Sequence, residues 1–123
     1  MADAKEKTIA LLSSTTGVDM ENGASATTLY TVPAGKTAYI THVVICNTTA
    51  SLAGGTSYDF DTGWLQAVDL SGMTTSGSTY RVLHSTTNTS YTEHAAGAAF
   101  QMVVNTGATL AGTATINVYG FLL

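Results

Sequence analysis

Residues 28–49 read TLYTVPAGKTAYITHVVICNTT and hold the chain's only proline and only cysteine. Leu29 to Val32 is a short apolar strand. Pro33-Ala-Gly35-Lys36 breaks it, because proline presets φ for a turn and glycine accepts the positive φ that follows. Thr37 to Thr48 is then a long strand rich in β-branched and aromatic residues. Side chains at i and i+2 share a face. The even row, Ala38, Ile40, His42, Val44 and Cys46, is mostly apolar and predicts the core side. The odd row, Thr37, Tyr39, Thr41, Val43, Ile45 and Asn47, is polar first and apolar later, and asks for cover from another segment or another subunit.

The same grammar runs to the C-terminus. Thr79 to His84 predicts a strand with Tyr80, Val82 and His84 on one face. Ala98 to Asn105 puts Ala98, Phe100, Met102 and Val104 together. Thr113 to Leu123 has an inner row of Ala114, Ile116, Val118, Gly120 and Leu122. Its outer row, Thr113, Thr115, Asn117, Tyr119, Phe121 and Leu123, again turns from polar to apolar. Tyr58 to Phe60 is a further short strand, and WLQAVDL from Trp64 is strand-compatible. About eight strands separated by Gly/Ser/Thr turns, without a helical period, predict an all-β antiparallel sandwich. The two longest strands lie far apart in sequence, which favours jelly-roll or Greek-key crossing over a meander. Residues 1–27 are expected to form an extended N-terminal arm ahead of a sandwich domain over 28–123, with one strand-like piece, TIALLSSTT, that docks on its own domain or on a neighbour.

Composition narrows the function classes. The chain of 123 residues is one domain's worth, 45% hydrophobic and only 10% charged. Average domains carry about 25% charged residues. Depletion of charge is a property of interface cores, so part of this surface is expected to be covered by copies of the chain. The net charge of −4, with basic residues only at Lys5, Lys7, Lys36 and Arg81, argues against nucleic-acid binding. No apolar run approaches the roughly 20 residues of a membrane helix. The N-terminus makes a poor secretory signal, so synthesis in a reducing cytoplasm is expected.

Catalytic and metal chemistry finds little footing. No GxSxG, HExxH or Walker-type motif occurs. His42 and His84 fall on apolar strand faces and are expected in the core; His94 follows Glu93 in a turn and is expected in solvent. These three and Cys46 lack the paired spacing of a structural zinc site. Asp59 and Asp61 could offer two carboxylates to calcium, but no further acid stands nearby. Trp64, Tyr58, Tyr80 and Tyr91 could build an aromatic sugar platform, against the commoner role of such residues in packing. No catalytic residue, metal or cofactor is expected.

The run LYTVPAGKTAYITHVVICNTTASLAGGTSYDF, together with WLQAVDLSGMT and the closing AAGAAFQMVVNTGATLAGTATINVYGFLL, resembles a family of small structural proteins encoded by tailed bacteriophages and prophages. The resemblance covers residues 28–123. It implies a jelly-roll sandwich, usually trimeric, mounted on a capsid, tail or fibre, and it carries no catalytic residues. The expected function is that of a capsid decoration or cement protein in the virion, a homo-oligomer that binds the major capsid protein or other virion proteins. The alternative is a fibre-tip module that reads a cell-surface glycan through loops 50–57, 71–78 and 85–90. The expected contact residues are Val43, Ile45, Tyr119, Phe121 and Leu123 on the strands, with Ile9, Leu11 and Leu12 as a clasp.

Overall fold

A computed structural model of the chain describes residues 8–61, 63–74, 79–85 and 93–123. Among these there are nine strands and no helix: β1 (Ala10–Asp19), β2 (Thr27–Thr31), β3 (Ala38–Cys46), β4 (Ser57–Phe60), β5 (Leu65–Val68), β6 (Arg81–Leu83), β7 (Glu93–His94), β8 (Ala99–Thr106) and β9 (Thr113–Leu122). Their pairing is nested. β1 pairs with β9, β2 with β8, β3 with both β6 and β7, and β4 with β5, all antiparallel. Two further pairs, β3 with β9 and β4 with β8, close the sheets. One sheet therefore runs β1-β9-β3-β6, with β7 continuing beside β6 along β3, and the other runs β2-β8-β4-β5. A long double-stranded ribbon folded over on itself in this way is a jelly roll.

The core lies between the sheets. Trp64, Tyr58, Phe60 and Phe100 are its largest buried side chains. Trp64 meets Phe100 edge to face at 5.3 Å, and its indole N–H donates to the Ile40 carbonyl at 3.3 Å. Burying an indole or phenol is tolerable only with such a partner. Tyr58 satisfies its hydroxyl twice, donating to the Met20 carbonyl at 2.8 Å and accepting from the Ala108 N–H at 3.1 Å. Burial is the main reason its phenol is pushed above the ordinary value.

The architecture settles one open expectation and corrects another. The first concerns where the N-terminal arm over residues 1–27 docks; its residues 1–7 lie outside the described ones. From Ala10 onward it is an integral edge strand, hydrogen-bonded to β9, and it sends Val18 and Met20 into the core. Ser13 Oγ also donates to the Leu29 carbonyl of the other sheet at 2.5 Å. The arm docks on its own domain because that exchange satisfies the β9 edge and buries apolar side chains together.

The second concerns the faces of β3. Its burial does not alternate cleanly: Ala38 and Ile40 point inward, and so do Val43 and Ile45. A β-bulge causes the switch. Ile40 opposes Gly120 and His42 opposes Tyr119, so Thr41 is the extra residue. One inserted residue sends every later side chain to the opposite face. Val43 and Ile45 are 0% exposed within this chain's own core and are unavailable as contact residues. His42, Val44 and Cys46 turn outward instead, half-buried by their neighbours on the sheet.

Candidate interaction surface

The bulge gives the β1-β9-β3-β6 sheet an unusual outer face. β9 is regular and presents Thr115, Asn117, Tyr119 and Phe121 outward. β3 contributes Tyr39 before the bulge and His42, Val44 and Cys46 after it. Register then sorts these into rows. Tyr39 opposes Phe121, and their rings stack at 5.1 Å and 11°. His42 opposes Tyr119, stacked at 4.6 Å and 4°, and Leu11 of β1 flanks Tyr119 on its other side. Val44 stands between Asn117 and Val82 of β6. Leu11 is 52% exposed, Val82 48% and Tyr80 68%. Cross-strand aromatic pairs of this kind add to sheet stability, and here they lay flat rings beside Leu11, Val44 and Val82.

Fixed charge is sparse on this face. Glu93 sits at one end, where its carboxylate accepts the Tyr39 hydroxyl at 2.7 Å; that hydrogen bond is the main cause of the phenol's raised pKa. His42 bonds Thr41 Oγ1 through Nδ1 at 2.9 Å. Burial holds its imidazole below the ordinary value, and nearby His84 adds to the effect. Asn117 Oδ1 is buried in this layer and has no hydrogen-bond partner among the described residues. A buried acceptor left unpaired is costly and is uncommon in finished structures.

The outer face of the other sheet is different. β8 and β4 point Ala99, Gln101, Val103, Ser57 and Asp59 outward. Gln101 donates to Thr28 Oγ1 at 3.0 Å, and Asp59 accepts the Ala67 N–H at 2.8 Å. That face is mixed: Gln101 and Asp59 are satisfied by contacts within the chain and stand beside the small apolar Ala99 and Val103.

An open cleft of about 350 Å³ lies between β5 and β6, with Leu65, Val68 and Leu83 among Gln66, Asp69, Arg81 and His84. Two of its polar residues, Arg81 and Asp69, are engaged. Arg81 donates to the Asp69 carbonyl at 3.1 Å, and the Asp69 carboxylate takes both the Ser71 hydroxyl and N–H. The Ser71 hydroxyl bond is the first cause of that carboxyl's lowered pKa.

The expected functional residues are divided by the structure. Tyr119 and Phe121 lie on the outer face; Leu11, Ile9 and Leu123 are exposed; Leu12 packs partly against the core; and Val43 and Ile45 are inside it. The histidines are the reverse of expectation. His42 and His84 face outward, whereas His94 is buried, with Nε2 3.1 Å from Asp61 Oδ2 and its ring edge-on to Phe100. Asp61 follows β4 and His94 lies in β7, so this contact ties the two sheets together. Asp59 and Asp61 thus have separate partners, and no cluster of three metal-ligating side chains occurs among the described residues. Of the expected sugar platform, Trp64 and Tyr58 are in the core and Tyr80 is exposed, while Tyr91 lies outside the described residues. So do parts of the 71–78 and 85–90 loops.

The chain matches no protein-family model, no curated protein and no solved structure.

Proposed function

We propose that this chain is a non-enzymatic structural protein of a phage virion, a capsid decoration or cement protein that binds the outer shell as a homo-oligomer and stabilises it. The observation that carries the reading is the outward face of the β1-β9-β3-β6 sheet, aromatic and nearly free of fixed charge. The opposite outer face has no such aromatic rows among the described residues, and this asymmetry suits a protein covered on one side. The low overall charge and the resemblance to small phage structural proteins support the same reading.

The mechanism is mass action. A protein that binds the assembled shell and not its dissociated subunits stabilises the shell by the free energy of that binding. Many copies on a repeating lattice add avidity, so each contact can be modest. The test is a comparison of particles with and without the protein. Copies in the hundreds per particle, and lower heat resistance when the protein is removed, are the expected results. A few copies confined to the tail, with unchanged head stability, would overturn the decoration role.

A further inference from the structure

We infer that the outer face of the β1-β9-β3-β6 sheet is the contact between two copies of this chain, packed face to face. This rests on the reading of the chain as an assembly protein and names the surface and the partner. Three observations carry it.

The first is charge. An isologous contact sets a patch against itself, so any net charge in the patch meets its like. The middle of this face, Tyr119, His42, Val44, Val82 and Leu11, has no fixed charge; Glu93, hydrogen-bonded to Tyr39, and Asp19, opposite Thr113, stand at its two ends. A nucleic acid or an acidic membrane would demand cations here, and the face offers none beyond its histidines.

The second is area. The strands β1, β9, β3 and β6 lie side by side. With β1 and β9 of 10 residues, β3 of 9 and β6 of 3, about 4.8 Å between strands and about 3.4 Å per residue, the face projects to roughly 500 Å². That is of the same order as the roughly 800 Å² per partner of a standard interface.

The third is chemistry. Flat stacked rings beside branched aliphatics resemble the inner face of a sandwich, and two such faces pack about 10 Å apart. The Asn117 acceptor, unpartnered within the described chain, marks the same layer.

The experiment compares sedimentation equilibrium of the wild type with Val82→Lys, Val44→Lys and a control, Val103→Lys, on the opposite outer face. Circular dichroism and thermal melts check that each variant folds; Val82 and Val103 are exposed, so their lysines can be accommodated. The expected result is self-association of the wild type and of Val103→Lys, weakened roughly a hundred-fold or more in Val82→Lys and Val44→Lys, because a lysine buried in an apolar contact finds no partner. A monomeric wild type overturns the inference. So does unchanged association of folded Val82→Lys. Loss of particle binding by Val82→Lys with self-association intact would give this face to the shell instead, overturning the self-contact while leaving the virion reading in place.

Discussion

Gly120 on β9 lies directly against the carbonyl oxygen of Tyr39 on β3, so close that any Cβ at this position would overlap it. The contact sits at the bulge where Ile40 opposes Gly120 and His42 opposes Tyr119. The missing side chain lets the two strands approach while Thr41 is accommodated as the extra residue. The same level of β9 carries a second irregularity, between Leu11 and Ser13 of β1. Together these shifts aim Leu11, Tyr119 and His42 onto one outward row.

Gly120→Ala should therefore be severely destabilising. The colliding atom is backbone, which cannot swing away as a side-chain tip would. The expected loss is about 3 kcal/mol or more, in the range of strained or overpacked core substitutions. Urea unfolding measures it; an alanine variant of wild-type stability would mean that the bulge has been misplaced.

Tyr58→Phe removes a hydroxyl that joins Met20 to Ala108 across the core. The Ala108 N–H keeps its bond to the Met20 carbonyl at 3.0 Å, so the loss is limited. A cost of about 1–2 kcal/mol is expected, read as a Tm lower by several degrees with unchanged far-UV dichroism.

Asn117→Val should act in the opposite direction on the isolated chain. It removes a buried acceptor that makes no hydrogen bond and places a strand-favouring side chain between Ser14 and Val44. A gain of about 1 kcal/mol is expected. Equal or lower stability would show that the Asn117 amide is in fact satisfied.

His42 supplies a pH dependence. Its folded pKa lies below the ordinary value of about 6.5, chiefly through burial and then through His84. The unfolded chain therefore binds the proton more readily than the folded one. The stabilisation is fully present above the ordinary pKa and is lost as pH falls from there through the lowered folded value. His42→Phe, which keeps a flat ring against Tyr119, should lose less stability than the wild type between about pH 7 and about pH 5. Parallel curves for the two proteins would contradict this assignment.

How much of this was legible in the sequence depended on regularity. β9 alternates up to its last residues, and Ala114, Ile116, Val118 and Gly120 of its expected inner row are buried as the pattern predicts, while Leu122 at the strand end is only half-buried. β8 behaves the same way at Phe100 and Met102. The jelly-roll crossing was favoured by two long strands far apart in sequence, which the structure pairs side by side as β3 and β9. β3 misled because period-2 reading assumes no inserted residue. The polar pair Thr41-His42 between Ile40 and Val43 is where the phase changes, and a bulge there leaves Val43 and Ile45 inside and His42 outside. His94 was misjudged for a related reason: its partners, Asp61 and Phe100, come from distant segments that only the fold assembles. The position of the interaction face was half visible, in Tyr119 and Phe121. The rows that complete it, through Val44 and Val82, depend on register that no local pattern encodes.

The most direct test is a reconstruction of purified virions that carry the protein, fine enough to place its strands. The account predicts many copies on the outer shell, with the Tyr39, Tyr119 and Val82 face of each packed against a neighbouring protein and the Gln101 face turned to solvent. Copies whose aromatic face stands bare to solvent while the Gln101 face makes the contacts, or particles lacking the chain altogether, would contradict it.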